Sequence, residues 1–357
     1  MIYIPRKAAP PRFYQMEWRT RYLRIVRQWL QQPPDQRRTP SPIDLRGDKV
    51  RQLLPLVAEL FAHKCAFCEA RPEPVQQRLM YFRPQGNVQP ASNEYHYYWL
   101  SFDWSNLYLA CRDCFELRGS EFPVENPRVT AHVSHLDREN AYPYFLEERP
   151  LLVDPCLDVP IEYLHFDDEG RISSTKGLRG RYTIKIFDLN RDQLVKVRKQ
   201  EAQQLKTKWL EARKQMIERE GKIDSELATR VDVLTAACDR SAQFAGMKAY
   251  LLLEWLISET RIALDSADIF GSAIEKEPWN RLYRTAMATL KIEKPRAIFD
   301  QSDIDNAGPS SQALCSPDTT AKTEITYIYI KGDMYQIGSI THSNVAIGQN
   351  ASSTVQR

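Results

Sequence analysis

The sequence predicts an α+β protein, mainly α, and three observations carry that expectation. Two Cys-x-x-Cys pairs, Cys65/Cys68 and Cys111/Cys114, bracket a stretch with short strand-like runs. Apolar residues recur at spacings of three and four through 48–63 and through much of 191–264, which is the helical period. From residue 324 onward the chain turns β-prone and is punctuated by Gly and Asn. The expected organisation is a basic N-terminal arm and helix (1–46), a cysteine-stapled domain (47–190), a helical region (191–300), a flexible linker (301–323) and a β-repeat tail (324–357).

The elements follow in order. Arg19 to Leu30 reads as a short amphipathic helix, and QQPPDQRRTPSP (31–42) as a proline-rich linker. Asp48 to His63 places Val50, Leu53, Leu54, Val57, Leu60 and Phe61 on one helical face and runs into the first cysteine pair. Arg78 to Phe82 reads as a strand, 84–94 as a Pro/Gly/Asn loop, and the aromatic run Tyr97 to Cys111 leads into the second pair. Asp168 to Gly170 is a turn between short strands. Asn190 is the expected cap of a helix reaching Arg219, whose Leu205, Trp209, Ala212 and Met216 form a packing seam. Helices over 225–244, 247–264 and, more weakly, 278–290 follow. The tail repeats itself at ten residues: Tyr335-Gln336-Ile337-Gly338 aligns with Val345-Ala346-Ile347-Gly348. Its two readings are an interaction motif that stacks with copies of itself or a partner strand, and a plain hairpin docked on the body; the polar tether favours the first.

Composition narrows the function classes. The net charge of +3 does not by itself announce nucleic-acid binding. Its distribution says more: residues 1–40 hold nine Lys/Arg against Glu17 and Asp35. Arg19, Arg21, Arg24 and Arg27 suit phosphate contact, and equally a solvated helix face. Of seven cysteines, Cys156, Cys238 and Cys315 stand outside the pairs, which argues against a disulfide framework and for a reducing compartment. No signal-peptide pattern opens the chain, and the longest apolar run, near Tyr250 to Ile257, is broken by Glu254. A cytoplasmic protein without a membrane span is expected.

Two Cys-x-x-Cys pairs in such a compartment point to zinc, which takes four thiolates in a tetrahedron. A four-cysteine site leaves no position open for water, so the expected role of Cys65, Cys68, Cys111 and Cys114 is structural.

The residues around the pairs carry a resemblance. CAFCE, YFRPQG and YYWLSFDWSNLYLACRDCFELRGSEFPV, continued by LLVDPCLDVPIEYLHFDDEGRI and IFDLNRDQLVKVR, resemble the HNH nuclease family, and most of all the HNH subunits of Septu-type and retron-associated antiphage systems. The likeness covers about 45–205, with a weaker helical match to 265, and excludes the tail. It implies a zinc-stapled ββα-metal fold. It also implies an acidic residue and a general-base histidine just before Phe82-Arg83-Pro84, an asparagine that orients the histidine, and a metal ligand after the second pair. Here these positions hold Met80, Tyr81, Asn106 and Phe115, and a usual lysine three residues later is Arg118.

Those departures are chemically severe. A phenol near pKa 10 is ionised about once in a thousand at pH 7, whereas histidine is largely available as a base. Met80 offers a poor ligand for a hard divalent ion and Phe115 none. The resemblance therefore implies a fold kept without its chemistry, with Tyr81 and Asn106 at degenerate catalytic positions and no catalytic divalent metal expected. Such a protein would bind DNA or RNA through Arg19, Arg21, Arg24, Arg27, Arg83 and Arg118, join a defence partner such as an ATPase subunit, and associate through Ile337, Gly338, Ile347 and Gly348. Two alternatives stay open: an active endonuclease with an atypical base, for which His63, His96, His132 and His135 are candidates, and a zinc-stapled adaptor that binds protein only.

Overall fold

The computed structural model describes residues 1–33, 36–37, 48–86, 88–89, 97–128, 147–175, 177–263, 276–292, 322–330 and 333–342. His96, His132, His135, Cys315, Ile347 and Gly348 lie outside the described residues. The described chain is mainly helical with small sheets. Pro11–Tyr14 (α1) is a single turn, followed by Glu17–Gln31 (α2) and Asp48–Leu60 (α3). Strand Gln77–Tyr81 (β1) pairs antiparallel with Leu107–Cys111 (β2), Met80 facing Tyr108 and Tyr81 facing Leu107. Helix Arg112–Arg118 (α4) leaves the end of β2 directly, completing a β-β-α unit.

The N-terminal segment is built into this unit. Met1, Ile2, Phe13 and Met16 are buried. Arg6 donates from Nη1 to the Trp104 and Leu107 carbonyls (3.1 and 2.8 Å) and from Nη2 to Ser105 (3.0 Å), and its guanidinium lies 4.4 Å from the centre of the Tyr108 ring. One cation thus satisfies three carbonyls at the 3₁₀ turn that enters β2, an accounting that backbone burial demands. Of the basic residues in the arm, Arg6 serves the fold.

A second small sheet pairs Leu164–Phe166 (β3) with Ile172–Ser174 (β4) across the 168–170 turn. Gly170 takes φ +83° there, and a Cβ would meet the Val195 carbonyl at 2.5 Å, so glycine is required on both counts. Gly177–Ile186 (α5) leads to the long helix Asp192–Glu218 (α6). The expected cap is corrected here: the residue before α6 is Arg191, and Asn190 instead brackets β4, accepting from Ile172 N–H and donating to Ile172 C=O, both at 2.8 Å. An amide side chain matches a backbone N–H and C=O pair at once, which a capping role would leave half used.

Leu205, Trp209, Ala212 and Met216 of α6 are all buried. They pack with Ser225–Ala237 (α7), Ala245–Ala263 (α8) and Trp279–Leu290 (α9), and Trp209 meets Trp255 and Trp279 at 6.2 and 5.7 Å between ring centres. The helical region is pinned to the first cysteine pair. Lys64 Nζ donates to the Ala242 carbonyl (2.8 Å), and the buried Glu69 carboxylate accepts from Gly246 N–H (3.2 Å) and lies 3.2 Å from the Met1 amino group. Burial alone would raise the Glu69 pKa; the Met1 amine and Lys64 outweigh it and hold the carboxyl below its usual range. In the tail, Lys322–Ile330 (β5) and Asp333–His342 (β6) form an antiparallel hairpin with a register shift at Thr326/Tyr327. Among the described residues no helix is long and apolar enough to cross a membrane.

Candidate metal centre and neighbouring positions

Each cysteine pair is presented by a different device. Helix α3 ends in left-handed residues, Ala62 (φ 50°) and His63 (φ 58°), and the chain then folds back so that Cys65 N–H reaches the Ala70 carbonyl (2.9 Å) and Ala66 N–H reaches Leu109 on β2 (2.9 Å). This lays the first pair against the second strand. Cys111 is both the last residue of β2 and the N-cap of α4, its sulfur accepting from Cys114 N–H at 3.5 Å. Cys114 lies one turn on, beside the same sulfur.

The four sulfurs lie within 4.8 Å of one another and all four residues are buried. Cys68 Sγ and Cys111 Sγ are 3.7 Å apart. A tetrahedron with metal–sulfur bonds of about 2.3 Å has edges of about 3.8 Å, whereas a disulfide needs about 2.05 Å. The spacing fits a four-thiolate metal site and excludes a bonded pair. The donor set, all sulfur and out of water, could hold a zinc ion. His63 is exposed and stands outside the cluster.

The cluster's charge is met from α6. Arg191 directs Nη1 to Cys114 Sγ (3.9 Å) and Nη2 to Cys68 Sγ (4.0 Å) and Cys111 Sγ (3.8 Å), with Nε 3.3 Å from Asp113. Burial alone would lower the Arg191 pKa; the sulfurs of Cys114, Cys68 and Cys111 outweigh it and raise it. The Cys68 thiol is held well below its ordinary range, first by its hydrogen bonds with Cys111, Cys114 and Cys65 and also by Arg191.

Met80, Tyr81, Asn106 and Phe115, the positions that the resemblance singles out, have other surroundings. Met80 is buried. The Tyr81 hydroxyl is buried without a hydrogen-bond partner, and its pKa is raised, chiefly by loss of water and then by Tyr98. Asn106 is a backbone staple: Oδ1 accepts from Arg83 N–H (2.7 Å), and Nδ2 donates to the carbonyls of Arg83 (3.1 Å) and Leu100 (3.4 Å). Its donors and its acceptor are all committed to the chain. Phe115 is 39% exposed and Leu117 44%, so α4 shows apolar groups outward.

The six arginines expected to touch nucleic acid divide into two groups. Arg21, Arg24 and Arg27 are exposed on α2. Arg19 is half-buried, stacked 4.5 Å from the centre of the Phe13 ring and donating to Phe102 C=O. Arg83 is 5% exposed and paired with Glu148 at 3.1 Å. Arg118 is 2% exposed and donates to the Tyr81 carbonyl, with Nε and Nη1 unbonded; burial pushes its pKa down to about 9. Arg6, Glu69, Glu148 and Arg191 were not singled out by sequence reading. Arg191 left one trace: a cation at the N-cap of a long helix opposes the helix dipole, so it calls for an anion nearby.

No family model matches the chain. It is 26% identical over 251 residues to Septu protein PtuA of Bacillus mycoides (strain KBAB4), covering 69% of this chain and 32% of that protein. It is 30% identical over 165 residues to Septu protein PtuB of the same strain, covering 43% of this chain and 52% of that protein. The chain therefore spans about a third of the length of one of these curated relatives and about half of the other, and what it is similar to is Septu proteins of both names.

Proposed function

We propose that this chain is a component of a Septu-type antiphage defence system that keeps a zinc-stapled HNH-like scaffold without its nuclease chemistry, and uses that scaffold to bind nucleic acid. Similarity to two Septu proteins supports the defence role. The observation that carries the loss of chemistry is Tyr81. At the base position stands a phenol that is buried, unpartnered and shifted away from ionisation. It is a worse proton acceptor here than a free tyrosine. Asn106, the residue that would orient a base, is bonded to the Arg83 and Leu100 backbone instead.

Supercoiled plasmid incubated with the purified protein and Mg²⁺, Mn²⁺ or Ni²⁺ should stay intact, and Tyr81→Phe should behave identically. Nicking that disappears in Tyr81→Phe or Asn106→Ala would show a working pocket and sink this reading. Binding is expected through the exposed α2 arginines. Duplex or single-stranded DNA affinity, followed by anisotropy across a salt series, should fall steeply with salt. The triple variant Arg21→Ala/Arg24→Ala/Arg27→Ala should lower the log–log slope on duplex DNA by about 0.9 for each phosphate it no longer neutralises. Salt-independent or absent binding would favour a protein adaptor, the reading that the outward Phe115 and Leu117 support. A partner such as an ATPase subunit fits either case.

The tail is proposed as an association element. Ile337 and Gly338 lie in β6, with Gly338 opposite Thr326; the second copy of the repeat falls outside the described residues. A hairpin presents an outer strand edge that another strand can extend. Truncation after Ala321 should lower the assembly state and leave the melting temperature of the body unchanged. A lowered melting temperature with unchanged assembly would make the hairpin a part of the body.

A further inference from the structure

The first cysteine pair, β2 and α4 supply the four thiols, but the cation that faces them comes from outside that unit. Arg191 stands at the head of α6, in the helical region, and its two terminal nitrogens reach Cys114, Cys68 and Cys111 at 3.9, 4.0 and 3.8 Å. Its third nitrogen holds Asp113, one of the two residues between the second pair, at 3.3 Å. Four thiolates around a divalent zinc carry a net double negative charge. Taking such a charge out of water is costly unless a countercharge sits beside it. Further along α6, Arg198 is buried, with one guanidinium nitrogen bonded to Gly170 C=O (3.2 Å) and another unbonded.

We propose that Arg191 is the charge clamp of the metal centre: its guanidinium neutralises the thiolates of both cysteine pairs, and through them latches α6 onto the ββα unit. The proposal rests on the zinc reading and extends it. A guanidinium is suited to this because its N–H groups diverge in one plane and can serve several sulfurs at once; a lysine ammonium is a point charge that serves one or two. Hydrogen bonds from outside the ligand set lower the electron density on metal-bound thiolates, and groups of this kind commonly control metal affinity 10- to 100-fold, an order-of-magnitude range. The clamp makes the metal more than a local staple. The first pair is also tied to the loop before α8 through Lys64 and to the first turn of α8 through Glu69, so the centre lies at the junction of the ββα unit and the helices. Metal and α6 are expected to be released together.

The test uses the full chain purified with its metal. Zinc release to excess chelator is timed for the unchanged protein and for Arg191→Gln, Arg191→Lys and Asp113→Asn. Release from Arg191→Gln should be about tenfold faster or more, Arg191→Lys should fall between, and Asp113→Asn, which removes the ion pair but no sulfur contact, should stay close to the unchanged protein. Hydrogen exchange over 192–205 should rise on zinc removal, and should already be raised in zinc-loaded Arg191→Gln. Cobalt replacing zinc gives a readout independent of stability: its thiolate-to-metal absorption should shift in Arg191→Lys, so the test survives if Arg191→Gln does not fold. Unchanged release and an unchanged cobalt spectrum in Arg191→Lys, with zinc bound, would overturn the clamp. Unchanged protein that carries no zinc would instead overturn the zinc reading beneath it.

Discussion

Cys111→Ala should leave little or no folded protein, and the unchanged chain should carry one zinc per molecule by elemental analysis. The expected size follows from comparing two energies. A structural zinc site in a small peptide contributes about 10–16 kcal/mol of binding free energy, which is folding free energy when the site does not exist in the unfolded chain. A whole domain has a net stability of about 5–15 kcal/mol. Loss of the first can therefore exceed all of the second. Cys111 is the sharpest choice because it is strand end, N-cap of α4 and a member of the four-cysteine cluster together. Cys156→Ala is the control: that thiol is also buried but lies outside the cluster, so zinc content and solubility should persist. Soluble, protease-resistant Cys111→Ala protein with an unchanged melting temperature would refute the metal's role in folding.

What could be read from the sequence follows the range of each interaction. The four-cysteine cluster was legible because its members announce themselves as local pairs, at a spacing that suits four soft donors around one ion. The α6 seam was legible because Leu205, Trp209, Ala212 and Met216 obey a local period. Asn190 was misread because two roles suit an asparagine before a helix, and the winning partner, Ile172, is 18 residues away. The arginines show the limit most clearly. The sequence treats Arg21, Arg83 and Arg118 alike as nucleic-acid contacts and passes over Arg6. Burial separates them: Arg21 faces water, Arg6 holds three carbonyls, Arg83 faces Glu148, and Arg118 stands out of water with two unbonded nitrogens. Those partners lie 65 to 101 residues from the arginine they serve in the cases of Arg83 and Arg6, beyond any periodicity argument.

Glu148→Ala should destabilise the chain by about 3–5 kcal/mol, because it removes one partner of a buried ion pair. The carboxylate accepts from Arg83 Nε at 3.1 Å and from the Tyr97 hydroxyl at 3.0 Å, and the two charged side chains are 6% and 0% exposed. The Arg83 guanidinium also lies 5.1 Å from the centre of the Phe122 ring. Arg83 follows Tyr81 and Phe82, and its backbone is the part that Asn106 grips from the other side. Breaking the ion pair should therefore loosen the end of β1, where Tyr81 lies. Replacing both partners by apolar residues of similar volume, Arg83→Met with Glu148→Leu, should recover much of the stability, since that removes both buried charges together. The same series assigns a role to Arg83. If Arg83→Met/Glu148→Leu regains stability and binds DNA with an unchanged salt slope, Arg83 is a structural cation and contact with nucleic acid falls to the α2 arginines. If the double variant folds and the slope drops by about one phosphate, Arg83 is exposed to the strand when bound, and the buried pair must open for binding.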